Sequence, residues 1–337
     1  MADDFLEFHD ELRSVAADLL AKERELDWPL LVDAGWAGLE VPERLGGAGA
    51  SFLEAAVILD QIGRAAATTG YLGGAVLPVG VLTGLPADDT TDALLGGLAA
   101  GTARLAVALG NFTVGADGLH GRAEFVPDAA DAEQVLVVTD AGVVLAQTAD
   151  LTVRPQPVVD ETRSLATVDA DAAPAQLLSD DPAVVAIAHR RAAVAIACDS
   201  LGIAEQMLTA TVEYVKVRHQ FGRPIGSFQA VKHACADMLV GIEVSRQLID
   251  DAVTAIADHR DAAVAAAMAK SHACAVAVEV AGTALQLHGG IGYTWESGVH
   301  TYLKRATLNR ALFGSAAAHR KTIASRYLST TPRPKGT

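Results

Sequence analysis

Two short stretches carry most of the chemistry this chain can offer. "RHQFGRPIGSFQ" (218–229) brings a guanidinium, an aromatic ring and glutamines together around Gly222, Pro224 and Gly226. Arginine reads phosphate through paired, charge-assisted hydrogen bonds, and the start of a helix favours anions. "QLHGGIGYTWE" (286–296) is the second. Its glycines leave the backbone open to close approach by a ligand or another chain. Read from the residues alone, the first is either a phosphate-bearing ligand's cradle or an interhelical turn. The second is either a contact surface or a glycine helix stop.

Other candidates are weaker. "VPERLGGAGAS" (41–51) is glycine-rich but lacks the Gly-Lys-Ser/Thr ending of a P-loop and any strand-then-helix setting, so it reads as a turn. "KHAC" and "SHAC" each place a histidine two residues before a cysteine, without the second pair a structural zinc needs. Cys198, Cys235 and Cys274 stand singly, which suits a reducing cytoplasm better than a disulfide framework. "NRALFGSAAAHR" (309–320) interrupts a helical stretch at Phe313-Gly314-Ser315 and contains no acid.

The elements that must position these residues are mostly helices. Residues 1–101 show helical spacing of Leu, Val and Ala. Residues 102–179 switch to short β-branched runs punctuated by Gly, Asp and Pro, which predicts a small antiparallel β domain. Asp180-Asp181-Pro182 then signals a helix start, and the helical period runs to Val217, about 50 Å at 1.5 Å per residue. Two further long helices follow, the first with Ser227 as its expected N-cap and the second stopping at Gly289-Gly290. Long helices on short connections predict an antiparallel bundle over 180–330, with 331–337 as a frayed tail.

Composition narrows the partners. The 337 residues carry a net charge of −15, spread along the chain, which argues against nucleic acid. Beyond Glu296 there is no acid, whereas Lys304, Arg305, Arg310, Arg320 and Lys321 all lie there. Such a basic end suits an anionic ligand, an acidic partner, or acids elsewhere in the fold. The acidic N-terminus reads as an amphipathic helix and not a leader, and no apolar run is expected to span a bilayer.

Three segments together resemble the acyl-CoA dehydrogenase family of FAD-dependent flavoproteins. They are "DAGWAGLEVPERLGGAGASFLEAAVILDQIGR", "EYVKVRHQFGRPIGSFQAVKHACADM" and "ALQLHGGIGYTWESGVHTYLKRA". The resemblance implies an N-terminal helical domain, a middle β domain and a C-terminal four-helix bundle, assembled as dimers or tetramers. It implies that Arg218, Gln220, Phe221 and Gln229 serve the ADP side of FAD, together with Gln286, Gly289 and Gly290. The family's T-E-P-x-x-G-S-D loop is replaced by "VALGNFTVGADG", and its W-I-T/S-N segment by "AEFVPDA". The catalytic Glu is replaced as well. Phe313 stands at its usual position, and Ala192 at the alternative one on the first bundle helix. A proton must be taken from the α carbon of the acyl thioester, and neither residue can take it.

The resemblance thus implies the non-catalytic half of a heteromeric, actinobacterial-type dehydrogenase. Its partners would be a homologous Glu-bearing subunit (α2β2), an acyl-CoA, for which a sterol-derived thioester is the choice by analogy, and an electron-transfer flavoprotein. The alternatives are an autonomous enzyme with a relocated base, for which Asp199 and Glu205 are the nearby acids, and a non-redox acyl-CoA-binding or structural homologue.

Overall fold

The computed structural model describes residues 2–328, so the frayed tail expected at 331–337 lies outside the described residues. The N-terminal part comprises α1 (Ala2–Lys22), β1 (Glu25–Leu26), α2 (Trp28–Asp33), α3 (Phe52–Ala65), β2 (Thr68–Thr69), α4 (Leu77–Leu82) and α5 (Asp89–Ala99). Asp27 caps α2 by accepting from the Leu30 amide, and Ser51 and Glu54 form a reciprocal capping box at the start of α3. β1 and β2 make one short parallel bridge. The glycine-rich run at 41–51 is a turn: the Gly47 amide returns to Pro42 O, and that of Ala48 to Gly38 O.

The middle region is two four-stranded sheets. Its strands are β3 (Leu105–Leu109), β4 (Asn111–Gly115), β5 (Gly118–Pro127), β6 (Gln134–Thr139), β7 (Gly142–Gln147), β8 (Thr152–Pro155), β9 (Leu165–Ala173) and β10 (Gln176–Ser179). One sheet runs β10-β7-β6-β3 and the other β4-β5-β9-β8. The second is antiparallel throughout, but β3 and β6 pair in parallel, which corrects the expectation of a purely antiparallel domain. The chain leaves β3 for the other sheet and re-enters β6 at the end where β3 began. Alternation divides the strands between two cores. Ala106, Ala108, Val135 and Val137 face the second sheet, while Leu105, Val107, Leu136 and Val138 join the helical core. Burial on both faces is why "VLVV" shows no polar alternation.

The C-terminal part is α6 (Pro182–Val217), a hairpin of β11 (His219–Gln220) and β12 (Arg223–Pro224), α7 (Gln229–Ala257), α8 (Ala263–His288), α9 (Val299–Ala311) and α10 (Ala316–Leu328). Asp181 caps α6 as its sequence suggested. Ser227 does not cap α7. It lies in a 3-10 turn, its hydroxyl donating to Pro224 O, and the helix starts beyond it without a side-chain cap. Gly63 and Gly202 let α3 and α6 touch backbone to backbone. A Cβ on Gly63 would sit 2.0 Å from Asp199 O, and one on Gly202 would sit 1.9 Å from Asp60 O.

α8 is the central helix, packed against α6, α7, α9 and α10. It is apolar nearly all round because it is covered on most sides. With the turn that follows, it is also long and apolar enough by length and composition to cross a membrane, contrary to the sequence expectation.

Candidate functional site

The residues expected to serve a cofactor gather at one end of the bundle. α6 ends at Arg218, and the β11–β12 hairpin turns through Phe221 and Gly222, at φ 52° and 76°. Positive φ at both central residues fits a tight hairpin turn, but it is an unusual backbone for an aromatic. Phe221 is 90% exposed, and its ring meets Phe228 edge-on at 6.1 Å. The Arg223 guanidinium lies over the other side of the pair, 4.1 Å from the Phe228 centroid. The side chains of Gln229 and His233 meet at 3.5 Å on the first turn of α7. The Arg218 guanidinium is exposed and has no ion-pair partner among the described residues.

The second motif arrives beside the first. Tyr214, one turn before Arg218, stacks on His288 at 4.4 Å, and its hydroxyl donates to His288 O. That contact ties the end of α6 to the end of α8, where Gln286 is exposed and Gly289 turns the chain at φ 62°. A Cβ on Gly289 or Gly290 would meet nothing within 4 Å, so the backbone faces open space. Tyr293 and Ile291 are exposed on the same turn. An unpaired guanidinium, glutamine amides and bare backbone amides suit a diphosphate, so the residues present fit the ADP half of a dinucleotide. No carboxylate is among the residues named.

The segments that replace the flavin-side motifs take another shape. β3 passes to β4 through Gly110 alone, so there is no loop there to present polar side chains. A Cβ on Gly110 would come within 2.6 Å of Ala123 and Arg122 O. In "AEFVPDA", a bulge between Ala123 and Val126 turns Phe125 outward at φ 57°. Asp128 turns inward, accepting from the Gly73 amide at 2.9 Å. Burial pushes the Asp128 carboxyl up to about 7, against the lowering effect of that amide.

Both base positions lack a proton acceptor. Ala192 is fully buried in α6, and Phe313 is partly buried against the helical core. Arg191, next to Ala192, pairs with Glu40, donates to Val76 O and stacks on Phe52. A cavity of about 470 Å³ adjoins it, lined by Glu40, Phe52, Gly80, Ile187, Arg190 and Arg191. None of the expected cofactor residues lines it.

The two acids nominated as relocated bases are tied up in ion pairs. Asp199, 1% exposed, receives Arg305 at 2.6 and 3.1 Å, Asn309 at 2.6 Å and Arg163 at 3.0 Å. Burial alone would raise its carboxyl. The charges of Arg305 and Arg163 and the hydrogen bonds overcome that and hold it at about 2. Arg305 also donates to Ala67 O and to Thr162 Oγ1. Glu205 is buried between Arg64 and Arg246. Neither carboxylate is free to accept a substrate proton.

Sequence reasoning missed these structural partners. Arg163 and Thr162 come from the β domain and Arg305 from α9, far from Asp199 in the chain. It also missed Lys270, although a single cation within the Ala- and Val-rich α8 was a legible signal.

With this geometry in place, comparison with known proteins is direct. Residues 1–102 match the acyl-CoA dehydrogenase N-terminal domain, and residues 183–328 match the C-terminal domain. The chain belongs to the acyl-CoA dehydrogenase family, whose cofactor is FAD. It is 33% identical over 288 residues to acyl-CoA dehydrogenase IpdE2 of Mycolicibacterium smegmatis, covering 85% of this chain and 83% of that protein. With IpdE2 of Mycobacterium tuberculosis it is 34% identical over 291 residues, again covering 85% and 83%. Among solved structures it is similar to a variant of the Tcur3481-Tcur3483 steroid ACAD, with TM-score 0.88, 27% identity and 96% and 98% of the two chains covered. The ChsE4-ChsE5 complex from Mycobacterium tuberculosis is similar as well, with TM-score 0.83, 26% identity and 98% of both chains covered.

Proposed function

We propose that this chain is the base-less subunit of a heteromeric acyl-CoA dehydrogenase. It would supply the ADP-side contacts to FAD held mainly by a homologous, Glu-bearing partner. The observation that carries this reading is that, among the described residues, no free carboxylate stands where the resemblance expects the base: Phe313 and Ala192 stand there, and Asp199 and Glu205 are locked in ion pairs. Arg218, Gln220, Phe221 and Gln229 would meet the diphosphate end of the cofactor, with Gln286, Gly289 and Gly290 alongside. FAD held there would supply the acceptor for the β-hydride, and the partner's carboxylate would take the α-proton of the thioester.

Two further observations support an assembly. Phe221 on the β11–β12 hairpin and Ile291 and Tyr293 on the turn after α8 are exposed large apolar side chains at the ends of the tied helices α6 and α8. Leu239, Val240 and Val244 are exposed on α7, on helical spacing. Exposed apolar side chains and a stripe of this kind suit a covering chain and the edge of a shared cofactor. The likeness to a steroid ACAD and to a two-component complex supports a heteromeric assembly and a steroid-derived acyl-CoA. An α2β2 stoichiometry and an electron-transfer flavoprotein as electron acceptor complete the proposal.

The test is co-expression with a Glu-bearing homologue, followed by native mass and flavin stoichiometry. One FAD per pair of chains, with turnover only in the mixed complex, is the expected result. A yellow, active assembly of this chain alone would sink the proposal. A stable assembly with no flavin would favour a structural role.

A further inference from the structure

The turn at Phe313 is gripped from two sides by residues outside it. Lys270 on α8 is 2% exposed, and among the described residues its ammonium makes no ion pair with a carboxylate. Its Nζ donates instead to Asn309 O at 3.0 Å, Arg310 O at 3.3 Å and Gly314 O at 3.5 Å. The first two are carbonyls of the last turn of α9, which no helical amide satisfies and where the helix dipole favours a cation. The third lies past the helix end, inside the turn.

From the opposite side, His319 of α10 sits 3.0 Å from Phe313 O through Nε2. A carbonyl can only accept, so Nε2 carries the proton. Burial lowers the pKa of this imidazole, outweighing the opposing effect of the hydrogen bond to Phe313 O, and the charge of Lys270 acts in the same direction as burial. Between the two grips, Phe313 and Gly314 both adopt positive φ, 54° and 100°. A Cβ on Gly314 would come within 2.9 Å of His319 Nε2. Left-handed backbone is costly for an aromatic residue and persists only where the surroundings enforce it.

We propose that Lys270 and His319 are positioning residues that together clamp the turn at residues 312–315, so that the scaffold sets the direction in which side chain 313 is presented. Burying an ammonium against backbone carbonyls is an expensive way to end a helix, and a capping glycine or water would serve a helix that merely had to stop. Holding a turn whose own dihedrals resist the geometry needs strong, directional donors on both flanks. The part played by this clamp in the reaction rests on the resemblance that sets Phe313 at the position of the family's base, and on this turn bordering the acyl thioester and flavin in the mixed complex.

The experiment compares the full-length chain, in complex with its flavin-bearing partner, with Lys270→Met, His319→Leu and His319→Gln. Methionine keeps most of the lysine's length without its charge, and glutamine keeps an N–H donor that leucine lacks. Hydrogen exchange of peptides spanning 308–316 should quicken about ten- to a hundred-fold in Lys270→Met and His319→Leu, the range for a lost charge-assisted or buried hydrogen bond. His319→Gln should restore much of the protection, and exchange in α6 should be unchanged. In the loaded complex, the two disruptive variants should also shift the visible flavin band and raise KM for acyl-CoA.

Unchanged exchange over 308–316 in both disruptive variants overturns the clamp. Faster exchange with an unchanged flavin band and KM leaves the clamp standing and removes the reading that the turn faces the thioester. Should Lys270→Met not fold, the two histidine variants carry the same comparison.

Discussion

Asparagine at position 199 separates a structural acid from a hidden base. Asp199→Asn keeps the shape of the side chain and removes its charge, leaving the buried Arg163 and Arg305 without their hydrogen-bonded carboxylate and with only the charge of Asp160 nearby. Breaking a buried, hydrogen-bonded charge cluster in this way costs about 3–5 kcal/mol. Proton linkage gives an independent figure for part of it. The carboxyl sits at about 2 in the folded chain against an ordinary 3.8. That difference corresponds to roughly 2–3 kcal/mol of stability. Because the folded value is the lower one, this contribution is complete above the unfolded pKa and fades as pH falls from about 4 toward 2. With an unfolding entropy of about 2.1 cal/mol/K per residue over 337 residues, each kcal/mol shifts the midpoint by about 1.4 °C, so the variant should melt roughly 4–7 °C lower at neutral pH. The gap should narrow in acid. Thermal melts of the purified complex across that pH range, with turnover assayed well below the variant's melting point, make the check. A variant that melts within about 2 °C of the parent but loses turnover a thousand-fold would mark Asp199 as the base, and the assignment made here would be wrong.

Three further outcomes follow from particular contacts. Arg218→Ala should lose FAD without unfolding, because the guanidinium is exposed and supports nothing else. Full flavin occupancy by absorbance would place the cradle elsewhere. Asp128→Asn should flatten the pH dependence of stability. The native carboxyl titrates near 7 and the unfolded one near 3.8, so stability falls as pH rises between them, by roughly 4 kcal/mol at most, and the amide removes that slope while still accepting from the Gly73 amide. Urea melts at pH 5 and pH 7.5 would show whether it does. Gly202→Ala should cost about 1–3 kcal/mol or more, since its methyl would strike the α3 backbone at Asp60. An unchanged denaturation midpoint would contradict the close helix approach.

What the sequence disclosed follows from how local each signal is. Asp181-Pro182 announced α6 because a cap and its helix are neighbours, and the long bundle helices followed from unbroken periodicity. Ser227 misled because a serine before a helix can serve either the helix or the turn leading to it, and here the turn through Pro224 takes its hydroxyl. The parallel β3–β6 pair was hidden because the strands between them belong to the other sheet, and no local pattern marks that excursion. α8 looked like a core helix and also meets the composition of a membrane span, since being surrounded by protein and being surrounded by lipid select the same side chains. At the candidate site, the two glycine-bearing turns were plain in the sequence. The fate of Asp199 and Glu205 was not, because their arginine partners are brought to them only by the tertiary fold.

The charge cluster around Asp199 bears on how the chain can come apart. Its members are drawn from the N-terminal helices through Ala67 O, from the β region through Thr162 and Arg163, and from the bundle through Arg305 and Asn309. Any piece expressed alone would lose part of this network. The bundle would keep the Asp199–Arg305 pair but lose Arg163, and the β region would keep Arg163 near Asp160 but lose Asp199. The three regions should therefore melt in a single calorimetric transition, with a van't Hoff enthalpy matching the measured heat. Limited proteolysis should likewise release no stable fragment cut between residues 179 and 182.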